Sequence, residues 1–398
     1  IRTITVRIFF AEVAHRDLDL KLIDVVKAFT HATMKERLFI ELPKGFEQEG
    51  KVGLLNQALE GTKQAANLWQ NLLTEVLAAF GFVRSTIDPN LYVYDKPDVY
   101  MIAVVWVDDI ACGYSDGTAF EALLTHMRKR INLKVDDMNQ FIGVEIYRDR
   151  KAKSITLKQK SYITALVEKH IASESIKAWK HQTPSGTSKE EVAKLMAIGQ
   201  AKTDAEKCNM IAKGYLSILG ALLWAACMTM PDLMFHSSHL ARFMQSPSAE
   251  AYEAVLDLLR YAYCRRDIGI TFGGVSKSPP IEINESDMPE VWADASFGGT
   301  VMPFGGGFIR WRNAAVCWIS RKLKFVPLST CEAEVAALVN VLMEAMFVVD
   351  ILQDMGVVLA DKVPCFTDSK SGFDIIRQPG VTKHTAHFDR WLHWAREL

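Results

Sequence analysis

Two adjacent carboxylates, Asp108 and Asp109, interrupt an apolar stretch of the sequence. Residues 101–107 form a continuous apolar run typical of a buried strand, and residues 110–113 resume it after the two acids. Carboxylates are expensive to bury without partners, so a tight turn at a strand end is expected here. A plain hairpin turn is one interpretation, because turns favour aspartate. Metal-dependent chemistry is the other, because Mg²⁺ prefers carboxylate oxygens.

A third carboxylate, Asp24, lies upstream at the end of another strand-like run. Two metal ions that clamp an in-line displacement at phosphorus need several carboxylates from different strands. Asp24 with Asp108 and Asp109 would supply such a set. The residues alone leave both a metal site for phosphoryl chemistry and an ordinary turn open.

A second acidic set is spread over the last hundred or so residues. Ser329 and Glu332 fit a capping box, which gives Glu332 a structural role and leaves Glu334 free on another face of the helix. Hydrolysis of a phosphodiester by two Mg²⁺ ions needs about four carboxylates. The candidates lie in the middle of a strand, on a long helix, at a strand end and at the start of the last helix: Asp294, Glu334, Asp368 and Asp389.

The periodicity of apolar residues predicts the elements that position both sets. Residues 183–207 are polar and are the best linker candidate, and residues 141–159 suggest a hairpin. The last hundred residues combine strands and helices into a compact α/β domain. Helices are predicted at 62–80, 118–131, 213–228, 231–245, 248–263, 330–354 and 387–397, and strands at 290–294, 305–311, 315–320 and 363–367.

Composition narrows the class of protein. The length of 398 residues predicts two to four domains, and 49% hydrophobic with 23% charged residues is a globular composition without an expected membrane span. Seven cysteines without a Cys-x-x-Cys pair disfavour a disulfide framework or zinc module and fit a reducing compartment. The net charge of −1 counts against a strongly basic nucleic-acid binder, but residues 147–180 are rich in Lys and Arg. That stretch is either a phosphate-binding stripe or a solvated surface.

Four blocks around the first acidic set resemble the reverse transcriptases of copia-type retrotransposons, in the same order and spacing. In this sequence Trp106, Glu60 and Ala66 stand where the family usually has Tyr, Tyr and Pro. The blocks are Ile-Asp-Val-Val-Lys-Ala-Phe at 23–29 with Leu-Phe-Ile-Glu-Leu-Pro-Lys-Gly-Phe at 38–46, Leu-Glu-Gly-Thr-Lys-Gln-Ala-Ala-Asn-Leu-Trp at 59–69, Val-Trp-Val-Asp-Asp at 105–109, and Phe-Ile-Gly-Val-Glu-Ile at 141–146.

This resemblance implies a role for each matched residue. Asp24, Asp108 and Asp109 would be catalytic and would hold two Mg²⁺ ions, with Mn²⁺ as an alternative. Phe29 would exclude a ribose 2′-hydroxyl, although a core aromatic is the plainer interpretation. Lys63 and Gln64 would lie near the incoming nucleotide or the template. Phe141 and Gly143 belong to the segment that supports the primer terminus in this family.

The short sequence motifs around 294, 329–334 and 387–389, which contain the second acidic set, resemble those of the RNase H of the same family. Asp294, Glu334, Asp368 and Asp389 would then be catalytic and would bind two Mg²⁺ ions. His393, one turn after Asp389, would assist proton transfer or product release, or simply lie on a solvated helix face.

The resemblance also implies an α/β (α+β) fold and a set of partners. The expected partners are an RNA template, a DNA primer, an RNA–DNA hybrid and dNTP, with no membrane, while a homo-oligomer is left open. The expected location is a cytoplasmic virus-like particle or the nucleus. The chain starts at Ile1 without an initiator methionine, which predicts a fragment of a longer polyprotein. The expected domains are partial fingers and palm at 1–115, palm end and thumb-like region at 116–182, linker and helical connection at 183–285, and an RNase H-like domain at 286–398.

Two other hypotheses compete with an active enzyme. A decayed or repurposed copy would bind nucleic acid without catalysis, as the departures at Trp106, Glu60 and Ala66 suggest. A non-enzymatic α/β scaffold is the blander alternative, but it leaves the spaced carboxylates unexplained.

Overall fold

A computed structural model describes residues 1–171, 184, 189–274, 287–296, 303–377 and 389–397. The chain divides into two units, residues 1–142 with 351–356 and residues 143–350 with 357–398. Helices and strands occur in both units, which confirms the expected α/β class.

The first unit is built on a six-stranded sheet with the order β4-β5-β6-β7-β1-β8, in which every pairing is antiparallel. A separate two-stranded sheet joins β2 to β3. The elements are α1 (Thr3–His15), β1 (Asp19–Val25), β2 (Phe39–Ile40), β3 (Gly53–Leu54), α2 (Ala65–Phe80), β4 (Val83–Arg84), β5 (Leu91–Lys96), β6 (Val99–Trp106), β7 (Asp109–Tyr114), α3 (Gly117–Met127), β8 (Leu133–Asp137) and β9 (Gln140–Phe141).

Helices cover both faces of the central strands of this sheet. On one face, Met101 and Val105 of β6 pack in a core with Trp69 and other residues of α2 and α3. On the other face, Val13 of α1 lies near Ile102 of β6, beside Gly113 of the neighbouring strand. Burial on both faces explains why β6 is apolar without alternation. The strand becomes exposed only at its end, which is where the two aspartates follow.

The second unit begins with a sheet of three antiparallel strands in the order β12-β11-β10 and a group of helices. Its first part comprises β10 (Val144–Asp149), β11 (Ser154–Lys158), α4 (Lys160–His170), α5 (Lys189–Ala197), α6 (Asp204–Ala212), α7 (Tyr215–Met228), α8 (Met234–Leu240), α9 (Ala249–Arg265) and β12 (Ile270–Gly273). Residues of α4, α7 and α9 form one apolar core here.

The rest of the second unit has a four-stranded sheet with the order β15-β14-β13-β16, in which β16 runs parallel to β13 and the other pairs are antiparallel. The buried indole of Trp318 in β15 donates to the carbonyl oxygen of Ala226 in α7, at 2.7 Å, and ties this sheet to the helices. The elements are β13 (Glu290–Ala295), β14 (Phe304–Trp311), β15 (Ala314–Lys322), α10 (Thr330–Asp354), β16 (Cys365–Phe366), α11 (Lys370–Arg377) and α12 (Asp389–Glu397).

The linker candidate at 183–207 contains α5 and the start of α6, which Thr203 caps by accepting from the backbone N–H of Glu206. One predicted element was wrong. The single helix predicted at 231–245 is α8 flanked by two short 3-10 helices, Pro231–Leu233 and Ala241–Phe243. Here Pro231 begins a tight turn at the first helical position rather than a continuous helix.

Helix α10 is long and apolar enough by composition to cross a membrane, and 61% of its most apolar window is buried inside the protein. Helices α6 and α7 pass the same test only as a pair, and they are bent by 57° at their junction. Core helices of globular proteins share this composition.

Candidate active sites

The sheet of the first unit brings Asp24, Asp108 and Asp109 together. Strand β1 pairs with β7 so that Asp24 lies directly opposite Asp109. Side chains at directly opposed positions have Cβ atoms about 5 Å apart. The backbone N–H of Val25 donates to the carbonyl oxygen of Asp108, at 3.0 Å. The three carboxylates therefore come from adjacent strands and from the turn that joins β6 to β7.

This turn is a strained two-residue hairpin loop. Trp106 pairs with Asp109, which leaves Val107 and Asp108 as the central residues. Val107 has a left-handed φ of 59°, which is unusual for a β-branched residue, and such hairpins favour glycine at this position. Val107 is 47% exposed, so burial of its side chain does not compensate for the strain. Backbone strain of this kind clusters at functional sites.

Electrostatic repulsion is concentrated at Asp109. Partial burial raises the pKa of Asp109, and the nearby charges of Asp108 and Asp24 raise it further. Three crowded carboxylates with oxygen donors fit a hard divalent cation, which would relieve the repulsion.

Phe29, which was predicted to contact a nucleotide, lines a cavity together with residues of this turn. Phe29 is half-buried in the short 3-10 helix Ala28–His31 and packs against the sheet core, so the core interpretation holds for part of its ring. Its ring also lines a cavity of about 210 Å³ whose wall includes Ala66, Trp69 and residues 105–107. The position of Phe29 is therefore compatible with a contact to substrate and also with a role in the core.

Lys63 and Gln64 immediately precede α2. Lys63 is exposed, whereas Gln64 donates from Nε2 to Glu36 Oε2 at 2.8 Å. Phe141, predicted to support the primer, is only 2% exposed, so its ring lies in the interior. Gly143 belongs to the second unit and has a φ of 76°.

In the second unit, Asp294, Glu334 and Asp368 come together as predicted. Asp294 lies on β13, Glu334 on the first turns of α10, and Asp368 just after β16, which runs parallel to β13. One ligand atom from each residue lies within 4.8 Å of the others. In the part of the chain that the structure describes, no other group of three is this compact, so the acids of the first unit are more widely spread.

The surroundings of Glu334 favour a bound cation. Burial raises the pKa of Glu334 to about 7, with further contributions from Asp294 and Asp368. Its Oε2 atom is buried and has no hydrogen-bond partner in the described residues. A buried, unpartnered carboxylate oxygen beside two other carboxylates fits a divalent metal ion. Asp389 is the first residue of α12, and its side chain lies outside the described residues.

The capping box predicted at the start of α10 is confirmed. The backbone N–H of Glu332 donates to Ser329 Oγ at 3.1 Å, and Glu332 Oε2 accepts from the backbone N–H of Leu328. Glu332 is therefore used in the helix start, which leaves Glu334 as the carboxylate that faces the other acids.

Sequence reasoning missed two features of these sites. The indole N–H of Trp69 donates to the carbonyl oxygen of Val107 at 2.6 Å, a bond that the helical spacing of the apolar residues does not predict. Its position in the block at 59–69 was the available signal. The second is a row of aromatic rings beside Asp294, in which Trp292 stacks against Phe308 and Phe366 at centroid distances of 5.7 and 4.3 Å. This row lines a cavity of about 700 Å³ that reaches Asp294 and Asp368.

Comparison with known proteins extends these observations. Residues 1–184 match the family model described as reverse transcriptase (RNA-dependent DNA polymerase). The whole chain is 29% identical to the retrovirus-related Pol polyprotein from transposon TNT 1-94 of Nicotiana tabacum and 25% identical to that from transposon RE1 of Arabidopsis thaliana. It covers 29% and 26% of those relatives, so it spans less than a third of their length.

A shorter relative and a solved structure also match. The putative transposon Ty5-1 protein of Saccharomyces cerevisiae is 29% identical over 81% of this chain and 99% of its own length. The foamy viral protease-reverse transcriptase in complex with an RNA/DNA hybrid matches with a TM-score of 0.45 at 12% identity, over 94% of this chain and 42% of that one. In sequence, residues 1–184 are therefore similar to reverse transcriptases, and the chain as a whole is similar to part of the Pol polyproteins of retrotransposons.

Proposed function

We propose that the first unit catalyses RNA-directed addition of dNTP to a DNA primer, at Asp24, Asp108 and Asp109. The observation that carries this proposal is the register that sets Asp24 opposite Asp109, with Asp108 in the adjoining turn. In the reaction the primer 3′-hydroxyl attacks the α-phosphorus of the dNTP, loses its proton, and displaces pyrophosphate. Two Mg²⁺ ions, or Mn²⁺ in their place, would supply charge neutralisation and activation of the hydroxyl when bound.

The neighbouring residues bind and orient the substrates in this proposal. Phe29 limits the space beside the sugar, exposed Lys63 approaches the phosphates, and Gln64 lies between Lys63 and α2. Phe141 and Gly143 shape the segment that supports the primer, Phe141 from the interior. The partners are an RNA template, a DNA primer and their hybrid, which proteins grip mainly through its backbone and 2′-hydroxyls.

Primer extension on a poly-rA template with an oligo-dT primer and Mg²⁺ tests the polymerase. We expect incorporation by the wild type and a loss of at least about 100-fold in Asp24→Asn and Asp108→Asn, the size typical when an electrostatic catalytic group is removed. Asp98→Asn is the matched control, because Asp98 is exposed in the hairpin at the opposite end of β6 and should leave activity unchanged. Undiminished incorporation by Asp108→Asn would reject the assignment.

We also propose that Asp294, Glu334, Asp368 and Asp389 hydrolyse the RNA strand of an RNA–DNA hybrid with two Mg²⁺ ions. The compact group of Asp294, Glu334 and Asp368 supports this, together with the unpartnered oxygen of Glu334. Cleavage of labelled hybrid RNA should be lost in Asp294→Asn and in Glu334→Gln. Asp374→Asn, on the exposed surface of α11, is the control and should cleave like the wild type. Cleavage that survives both active-site substitutions would rule out this site.

The proposed arrangement keeps the domain limits expected from the sequence. These are partial fingers and palm at 1–115, palm end and thumb-like region at 116–182, linker and connection at 183–285, and an RNase H-like domain at 286–398. The proposed location is a cytoplasmic particle, and sedimentation would show whether the chain forms a homo-oligomer.

A second candidate, a copy that binds nucleic acid without catalysis, is favoured by two departures from the family pattern. Trp106 is 44% exposed next to the aspartates, and Glu60 places an exposed negative charge in the block before α2, where the family usually has Tyr. Binding of a hybrid without incorporation or cleavage by the wild type would support this candidate over the enzyme.

A further inference from the structure

We propose that Trp69 is a positioning residue for the metal-binding turn: its indole N–H holds the Val107–Asp108 peptide and thereby orients the Asp108 carboxylate. This inference rests on the proposed polymerase function. The sequence block at 59–69 draws attention to Trp69 but does not reveal this role, because the role depends on a hydrogen bond that forms only in the folded protein.

The first step of the argument is the geometry around Asp108. Trp69 Nε1 donates to the carbonyl oxygen of Val107 at 2.6 Å, and Trp69 is 3% exposed. The backbone N–H of Val25 donates to the carbonyl oxygen of Asp108 at 3.0 Å. The peptide before Asp108 and the peptide after it are therefore each held by one hydrogen bond. With both peptide planes fixed, the direction of the Cα–Cβ bond of Asp108 is fixed as well, which sets the region that its carboxylate can reach.

The second step is that this turn needs an external restraint. Val107 has a φ of 59°, in the region that favours glycine, and its side chain is largely exposed. Neither its intrinsic preference nor burial stabilises that conformation. A short hydrogen bond from a buried, rigid indole is a restraint of the required kind, because aromatic rings have few rotatable bonds.

The third step is the place of Trp69 in the fold. It lies in the second turn of α2, the helix that begins directly after Lys63 and Gln64. Its ring also borders the cavity lined by Phe29 and Val107. Helix α2 therefore carries the clamp on the metal-binding turn and directly follows Lys63 and Gln64, so Trp69 links the position of that turn to the start of the helix.

Trp69→Phe tests the inference, because phenylalanine keeps an aromatic ring and removes the donor. The matched control is Trp318→Phe, since Trp318 is also a buried indole that donates to a backbone carbonyl, at 2.7 Å, but in the second unit. We expect Trp69→Phe to lower kcat for primer extension about tenfold, the size of one buried hydrogen bond, and to raise the half-activating Mg²⁺ concentration. In Trp69→Phe, KM for dNTP should change less than about threefold. Trp318→Phe should leave kcat, the half-activating Mg²⁺ concentration and KM unchanged.

A rescue variant separates positioning from a general loss of packing. Val107→Gly places glycine where the hairpin favours it, so in the Trp69→Phe background it should restore much of kcat and of the Mg²⁺ response. A lost packing contact at Trp69 would not respond to Val107→Gly. The inference is overturned if Trp69→Phe keeps wild-type kcat and Mg²⁺ response, or if the double variant is no better than Trp69→Phe.

A direct measurement of metal binding distinguishes a failure of this inference from a failure of the proposed function. In an Asp294→Asn, Glu334→Gln background, Mn²⁺ affinity measured by water-proton relaxation reports on the first unit. Weaker Mn²⁺ binding after Trp69→Phe, by about tenfold, would support the clamp even if the wild type failed to extend primers, an outcome that would reject only the polymerase proposal. Equal Mn²⁺ affinity with and without Trp69 would reject the clamp.

Discussion

Gly307 lies beside the second carboxylate group, at a position that has no room for a Cβ atom. It pairs with Ala293 in the sheet, one residue before Asp294, and a Cβ at this position would lie 2.1 Å from the carbonyl oxygen of Trp292 and 2.6 Å from Val341 Cγ2. Gly307→Ala should destabilise the second unit by about 2–3 kcal/mol, because backbone cannot move aside as a flexible side chain can. Urea denaturation measures the change. Gly117→Ala, where nothing lies within 4 Å, is the control and should shift stability by less than about 1 kcal/mol.

His239 makes the stability of the second unit depend on pH. Burial lowers the pKa of His239, nearby Arg242 lowers it further, and the ring nitrogen Nε2 hydrogen-bonds the carbonyl oxygen of Leu195 at 3.0 Å. Because the folded pKa lies below the unfolded value of about 6.5, the unfolded state binds more protons as the pH falls. Stability is therefore complete above about pH 6.5 and declines below it, towards the folded pKa of His239.

His239→Gln tests this pH dependence. Glutamine can still donate to Leu195 but does not titrate, so the variant should lose less stability than the wild type between about pH 6.5 and 5. Thermal denaturation across that range measures the difference between the two proteins. Parallel declines in the two proteins would show that other groups, such as the neighbouring His236, control the titration.

At the scale of elements, helices and strands were predicted most accurately where the local sequence signals and the packing of the folded protein favour the same element. Helix α10 was predicted at 330–354 and is observed at Thr330–Asp354, because its capping box and apolar length leave little ambiguity. Strands β13 to β15 lie within two residues of their predicted ends. Helix α1 was not predicted, since it is apolar nearly all round and shows no amphipathic period. At 183–207 the polar composition did not indicate α5 and the start of α6, because helix caps and loops use the same polar residue types.

Helix α7 contains a position that favours a stabilising substitution. Gly220 lies in the exposed middle of this helix, and a Cβ there would meet nothing within 4 Å. Glycine in a helix interior costs about 0.5–1 kcal/mol relative to alanine, so Gly220→Ala should stabilise the second unit by that amount. A raised unfolding midpoint in thermal denaturation would confirm it. A lowered midpoint would contradict the prediction.

At the scale of the whole molecule, the carboxylates of the two groups could be predicted from their order along the chain. The contacts around these carboxylates could not be predicted. Asp24 and Asp109 were identifiable because each ends or begins a strand, and the register then set them opposite each other. The pKa of Glu334 and the bond from Trp69 to Val107 depend on contacts between residues far apart in sequence. The periodicity of apolar residues does not reveal these contacts, since they form only when α2, α10 and the sheets have packed.

The two carboxylate groups lie in different units, so the two proposed activities should be separable by mutation. Asp24, Asp108 and Asp109 belong to the first unit, and Asp294, Glu334 and Asp368 belong to the second. Asp108→Asn should abolish primer extension and leave hybrid cleavage within about threefold of the wild type, and Asp294→Asn should do the reverse, because each substitution removes ligands from one site only.

Both activities should disappear together when divalent ions are chelated and should return together when Mg²⁺ is restored, since each site depends on its own carboxylates for metal. Parallel assays on one preparation of each variant, with thermal denaturation to verify folding, make the comparison. If Asp294→Asn reduced extension as strongly as cleavage while folding normally, one shared site would explain the data better than two. A chain with both substitutions should still bind hybrid in a filter assay, because the phosphate contacts that dominate affinity lie on basic side chains rather than on these acids.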